Sequence, residues 1–436
     1  MLARVIGALL GVSTLLAGLL IWQFANGPLS LTFLAPYVQD ALAENTPGYE
    51  WEFEQTILDW SEERRALVIS LSGVRLIDTS GAVVAQVPHA DIGLSATSLL
   101  QGRMALTSLE FDGPSVTLLR TEDGRFRLGI TVLAGMPEQK AGTDFSALTG
   151  RVFAGLLAPP EQKGRASVFT DFAARNVTMT YRDFRLGTTW EASGAEFFFH
   201  RTDQGIAGEA SVAIRIADQV WSLAVTGTFL QADQEIQLDI AFADVEPFRI
   251  AGEAEMLQPL AHLKLPISGT VGLGLMADGQ LQRVKANLHS GAGEIDMPDF
   301  MPEPVKVDSL ELIGQYELAA NMARLDRAHF KYGPLEITAS GSAEYGVDSP
   351  AVQISGDVIN AQVELVKKLW PIPVAKGSRG GFVNNMDSGL ISQTHFVVDI
   401  PSGVIGAGPL PDNFIKAELQ FSDVSGHYLR PMPPIE

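Results

Sequence analysis

Residues 235 to 242 read EIQLDIAF: Ile236, Leu238, Ile240 and Phe242 take every second place, with Glu235, Gln237, Asp239 and Ala241 between them. Successive side chains of an extended backbone leave on opposite faces, so a period of two fixes a strand with one apolar and one wet side. The same signature returns in ALVISL, NVTMTY, GPLEITA and KAELQF, divided by Gly, Pro and Asp-Gly turns. Short alternating runs at regular intervals predict an all-β chain. What alternation leaves open is the cover: a second sheet and a partner that is not protein would both be written this way.

Two hairpins are explicit. In SVTLLRTEDGRFRLGI, Asp123-Gly124 supplies the positive-φ positions of a tight turn, and Asp278-Gly279 joins VGLGLMA to QLQRVKANL in the same manner. Helical spacing interrupts the pattern in three places. SLTFLAPYVQDALAE sets Leu31, Leu34, Val38 and Leu42 on one face. DFSALTGRVFAGLL does so with Phe145, Leu148, Val152 and Leu156 before Pro159-Pro160. QVELVKKLWP is stopped by Pro371. The run Phe197-Phe198-Phe199 fits a strand buried on both faces. The organisation expected is a segment 1–26 crossing a membrane, a juxtamembrane amphipathic helix over 27–44, a β module over 45–132, a linker and helix over 133–162, and continuing β repeats over 163–436.

The N-terminus sets the compartment. No charge occurs from Val5 until Asp40, and the twenty residues Val5 to Phe24 span about 30 Å as a helix, enough for a bilayer core. Val5, Leu10, Leu16 and Leu20 supply the apolar body, and Trp22 stands where an interfacial aromatic is expected. A cleaved signal peptide is the competing reading, but this run exceeds the roughly 7–15 residues of a signal core and lacks a small-x-small cleavage site. Arg4 precedes the span, whereas Asp40 to Glu63 holds eight acids and no Lys or Arg. That bias places the N-terminus in the cytoplasm and the bulk outside.

The chain's 31 basic and 51 acidic residues give a formal charge of −20, which disfavours nucleic acid and anionic surfaces. With no cysteine, disulfides, thiolate metal sites and cysteine nucleophiles are excluded. H-E-x-x-H, G-x-S-x-G and the Walker A loop are absent, and the seven histidines are scattered singly. Gly272-Leu273-Gly274 fits a loose dinucleotide fingerprint only out of context, since it runs toward an Asp-Gly hairpin rather than into a helix. No pair of carboxylates is singled out by spacing. The expectation is no enzyme, no cofactor and no metal.

Residues 67 to 130, LVISLSGVRLIDTSGAVVAQVPHADIGLSATSLLQGRMALTSLEFDGPSVTLLRTEDGRFRLGI, resemble the N-terminal module of the AsmA-like superfamily in the order of strand, "v-r-l-x-D-x-x-G" turn, "s-L-L-x-G" segment and "P-x-v-x-L-x-R-x-x-D-G" hairpin. GPLSLTFLAPYVQDAL after the apolar span, and LWPIPVAKGSRGGFVNNMDSG later, are similar to its YhdP-type, bridge-like lipid-transfer branch. Gly380-Gly381 departs from the helix-like stretch usual there and puts a local helix in doubt. The resemblance implies an elongated, curved antiparallel β-sheet forming an open hydrophobic groove, anchored in the bacterial inner membrane by a single pass. It further implies a periplasmic bulk that carries phospholipid between inner and outer membranes. Leu67, Ile69, Leu71, Leu109, Phe111, Val116, Leu118, Ile236, Leu238, Ile240 and Phe242 are then the groove candidates. A periplasmic scaffold that assists outer-membrane protein assembly by sheet-edge pairing is the alternative. The ending HYLRPMPPIE, directly after an alternating run, is expected of the N-terminal portion of a longer protein.

Overall fold

The alternating runs become strands. The computed structural model describes residues 29–30, 39, 49–61, 66–78, 83–95, 97–98, 101, 105–120, 126–130, 169–184, 187–216, 219–252, 255–276, 280–346, 349–372, 374–406 and 412–427. They are mostly β-strand with few helices, and the chain divides into two compact units, Met1–Arg215 and Ile216–Glu436. The boundaries expected at 132 and 162, the helix over DFSALTGRVFAGLL and the span Val5 to Phe24 lie outside the described residues. Among the described residues no helix is long and apolar enough to cross a membrane.

The first unit contains β1 (Leu29–Ser30), β2 (Tyr49–Glu52), β3 (Gln55–Ser61), β4 (Ala66–Asp78), β5 (Val83–Leu94), β6 (Leu106–Asp112), β7 (Ser115–Arg120), β8 (Phe126–Ile130), β9 (Asp171–Asp183), β10 (Thr188–Arg201) and most of β11 (Gly205–Ile216). Leu29 pairs with Leu58, so the helix expected over 27–44 cannot begin before Leu31; of the rest of that segment only Gln39 is described, and it is helical. β7 and β8, on either side of the first Asp-Gly pair in the sequence, are antiparallel, with Val116 opposite Ile130. Pairing is antiparallel with one departure from expectation: β9 runs parallel to β6 and to β7. A long return explains it. A strand arriving from 169 onward can dock on either edge of an earlier hairpin, and in-chain alternation does not specify which.

In the second unit β12 (Gln219–Leu230), β13 (Glu235–Val245), β15 (Ile267–Met276), β16 (Leu281–Ser290), β19 (Ser309–Glu317), β20 (Met322–Tyr332), β21 (Leu335–Tyr345), β22 (Pro350–Gln362), β23 (Met386–Ile400) and β24 (Ile415–Gly426) pair antiparallel in that order. A small second sheet joins β14 (Leu263–Lys264), β17 (Gly293–Ile295) and β18 (Val305–Val307). Its Val307, like Leu265 next to β14, is almost fully enclosed, and Val305 is buried.

The three longest connections of this unit, β13 to β15, β16 to β19 and β22 to β23, all leave from the same end of the strands. The last carries α1 (Val363–Leu369), which stops before Pro371 as expected, and α2 (Lys376–Asn385). Gly380 and Gly381 therefore sit inside a helix after all, where a Cβ at either would meet nothing within 4 Å. Neighbouring turns hold α2 in place: Trp370 Nε1 donates to the Val374 carbonyl at 2.9 Å, and Arg379 Nε to the Trp370 carbonyl at 3.1 Å. Leu365, Val366, Leu369 and Phe382 from the two helices pack over Leu335, Ala361 and Ile391.

Candidate functional site

Residues directly opposite in an antiparallel ladder share a face, so the register turns single strands into rows that cross a sheet. In the second unit one row runs Val225, Ile240, Val271, Ala286, Gly314, Leu325, Gly341, Ile354, Val398, Ile415. Every member is apolar or glycine. The row through Leu238 continues as Leu273, Val284, Tyr316, Ala323, Ala343 and Val352, and that through Phe242 as Gly269, Leu288, Leu312, Ala328, Ala339, Gly356 and Phe396. Ile236 lies between Phe229 and Leu275. The structure thus brings the four candidates of EIQLDIAF into one apolar face, together with partners that the sequence analysis did not name. The intervening row reads Thr226, Asp239, Gly272, Lys285, Gln315, Arg324, Ser342, Gln353, Asp399. It is polar throughout apart from one glycine.

The exposure of the apolar face is what distinguishes it. No member of the Ile240 row is buried; all ten are half-buried. A sandwich core packs such rows to near-complete burial, because the facing sheet fills the space above them. At one end of the face α1 and α2 lie over the cluster of Leu335, Ala361 and Ile391.

Glycines in the central rows mark close backbone approaches. A Cβ at Gly341 would lie 2.2 Å from the Gln353 carbonyl oxygen, at Gly356 2.3 Å from that of Thr338, at Gly269 2.1 Å from that of Asn287 and at Gly314 2.6 Å from that of Arg324. No side chain fits at such distances, and glycine within a strand accompanies a bend or a close backbone approach. The ladder slips at neighbouring places, between Ile313 and Gly314 and between Leu325 and Ala328.

The first unit builds its apolar face from the same alternation. Leu58, Ile69, Ile92, Leu109, Phe172, Phe199 and Gly208 form one row, and Thr56, Leu71, Ala90, Phe111, Ala174, Phe197 and Ala210 the next. Leu67 and Leu109 pack on the same cluster as Ile69 and Leu71, with Trp51, Phe53 and Phe111. Val116 joins Phe111 against Ala174, Val177 and Ala195. The Phe111 and Phe172 rings meet edge to face at 5.9 Å. Leu118 is in register with Leu128 and Tyr181, but its side chain is outside the described residues. Here, however, Ile69 is only 3% and Leu71 only 1% exposed. As placed, these two groove candidates are core. Of the triple phenylalanine, Phe197 and Phe199 join this face while Phe198 turns to the other, under the Arg175 guanidinium at 4.9 Å.

Charges keep to the polar faces as cross-strand pairs. Arg327 meets Glu311 at 3.1 Å, His395 meets Asp357 at 3.1 Å and Lys331 meets Glu336 at 2.9 Å. The hydrogen bond from Lys331 depresses the Glu336 pKa and raises that of Lys331. Among the described residues no three His, Asp or Glu converge as metal ligands. Val5, Leu10, Leu16, Leu20 and Trp22 of the expected anchor lie outside the described residues. No protein-family model matches the chain, and neither does any characterised protein or solved structure.

Proposed function

We propose that the chain is a membrane-anchored cell-envelope protein that carries phospholipid acyl chains along an apolar β face, without catalysis or cofactor. One observation carries this reading: a ten-strand apolar row, centred on Ile240, in which no side chain is buried. Leaving such a face to water is costly, and large exposed apolar patches on proteins mark binding surfaces. A lipid tail benefits reciprocally, because each CH₂ withdrawn from water is worth about 0.8 kcal/mol. The glycines of the central rows fit a sheet creased across its strands, so that the apolar side lines a trough. The resemblance to AsmA-like proteins, the uncharged N-terminal span and the acidic segment after it support an inner-membrane anchor and a periplasmic body. Photocrosslinkers at Ile240, Leu273 and Leu312 should capture phospholipid, while those at Asp239 and Lys285 should not. Equal labelling of the two parities would remove the trough.

A second reading has its own observation. Among the described residues nothing pairs with the outer edge of β24, and Phe421 on that strand is 43% exposed. An open edge can accept a client strand through backbone groups, as an assembly scaffold would. The two readings separate because Ile240→Asp would block acyl passage and spare edge pairing.

A further inference from the structure

One row of the second unit's apolar face runs Leu310, Phe330, Ile337, Val358, Thr394, Leu419. From Phe330 onward it lies against α1 and α2: Phe330, Ile337, Val358 and Leu419 pack on the same cluster of Leu335, Ala361 and Ile391 as do Leu365, Val366, Leu369 and Phe382 of the helices. Leu335, Ala361 and Ile391 are 1%, 0% and 2% exposed, whereas the Ile240 row, two rows away on the same face, is half-buried throughout. Here, then, the face is closed by protein.

Three features of this cover work against its permanence. α1 has seven residues, and the ten of α2 include Gly377, Gly380 and Gly381, each of which weakens a helix. Helices so short are held by docking rather than by their own hydrogen bonds, and no residue of α2 is buried. Between the two helices Ala375, 4% exposed, is held at φ 47°, the left-handed region that costs an alanine free energy. In the covered row, between Val358 and Leu419, Thr394 is 8% exposed and its Oγ1 has no hydrogen-bond partner among the described residues. An unpaired buried hydroxyl carries a penalty that access to water removes. The ties across to the connection between β16 and β19 are slight. Ile372 N–H donates to the Phe300 carbonyl at 2.7 Å, and Lys368 Nζ meets Glu303 at 2.9 Å with both side chains more than half exposed, where an ion pair adds little.

From this balance, and resting on the lipid-carrying reading above, we infer that α1 and α2 are a displaceable lid. Their apolar side chains stand in for acyl chains over the row from Phe330 to Leu419, and lipid entering that row displaces them. The exchange leaves the row covered, since the contact given up by Leu365, Val366, Leu369 and Phe382 is replaced by acyl chain. Opening also relaxes Ala375 and frees the Thr394 hydroxyl, so the closed arrangement is favoured only while no lipid competes for its seat.

The chain contains no cysteine, so Phe300→Cys with Ile372→Cys introduces a single disulfide across their backbone hydrogen bond. The full chain, reduced or oxidised, is equilibrated with phosphatidylcholine vesicles, and amide hydrogen exchange is followed by mass spectrometry. In the reduced chain, lipid should speed exchange over residues 363–385 roughly tenfold without speeding β13 to β16, and oxidation should abolish the acceleration. Thr394→Val, which removes the unpaired hydroxyl at nearly constant shape, should slow exchange of the same segment roughly tenfold in the lipid-free chain. That variant decides alone where the disulfide fails to form. A photocrosslinker at Ile240 reports in parallel whether the open part of the face takes lipid. Capture at Ile240 with exchange over 363–385 indifferent to lipid makes the helices a fixed wall; it overturns the lid and leaves the lipid reading standing. An acceleration that survives oxidation, or exchange that Thr394→Val leaves unchanged, overturns the lid as well. No capture at Ile240 overturns both.

Discussion

The Ile69 row and the Ile240 row are the same sentence in two contexts. Each alternates cleanly along its strand, and each is matched by aliphatic or aromatic partners on the neighbouring strands. Yet Ile69 is 3% exposed and every residue of the Ile240 row remains half-buried. Alternation reports which way side chains point and nothing about what lies above them. Cover is a tertiary property. The first unit encloses its face with Trp51, Phe53 and the aromatic chain through Phe111, while the middle of the second unit's face stays half-buried.

The sharpest way to break this contrast is to place one carboxylate in each row. Leu71→Asp should unfold the first unit, since an unpaired buried charge costs several kcal/mol against typical stabilities of about 5–15 kcal/mol. Ile240→Asp should leave the second unit folded, because the half-buried position keeps a route to water. Urea unfolding of both variants gives the answer, and collapse of both would mean that both faces are closed. A gentler version should keep the ranking: Leu71→Ala should cost about 2–5 kcal/mol as a cavity mutation and Leu238→Ala clearly less.

Lipid labelling sharpens the contrast from the other side. A crosslinker at Leu238 or Ile354 should capture acyl chains, and one at Leu71 should yield protein–protein products only. Lipid captured equally at Leu71 would show that the first unit opens in solution.

Glycine offers a smaller but cleaner comparison within the second unit. Gly341→Ala should destabilise by about 1–3 kcal/mol, because the new methyl would meet the Gln353 carbonyl. Gly380→Ala in α2, facing open space, should stabilise by about 0.5–1 kcal/mol. Thermal midpoints moving in opposite directions are expected; two losses would mean that α2 needs its glycines for packing.

The smallest effect belongs to the polar face. Glu336→Gln should lower stability slightly near neutral pH. A carboxylate whose folded pKa is depressed contributes above its ordinary value and loses that contribution as pH falls through the depressed one. The gap between variant and wild type should therefore close in acid. For Lys331, raised by the same hydrogen bond, the contribution should fade only as pH climbs through its elevated pKa. A gap constant across the acid range would assign the effect to packing.

Much of the fold could be read before any coordinates. EIQLDIAF announced its strand, the Asp-Gly pairs announced their hairpins, and QVELVKKLWP announced a helix and its stop, because each rests on local geometry. The parallel docking of β9 could not be read, since it depends on which earlier edge is free when residue 171 arrives. Nor could α2 be foreseen, because Gly380-Gly381 argues against a helix that Arg379 ties to the Trp370 carbonyl outside it. At the candidate site the parity of Ile240 was legible and its exposure was not.

The strand order of the two units also bears on how each is made. From β12 to β24 every main-sheet strand pairs with the strand just before it, so each new hairpin can zip onto a finished edge as the chain emerges, and loop-closure cost stays small throughout. The first unit has no such luxury. Its β9 must return across some sixty residues to lie beside β6, with Arg175 reaching Glu110 at 2.6 Å over a separation of 65. Until then the edges of β6 and β7 wait without their partner. On a ribosome or a translocon, the first unit to be synthesised is thus the slower to close, and the second can grow, rung by rung, at the pace of synthesis.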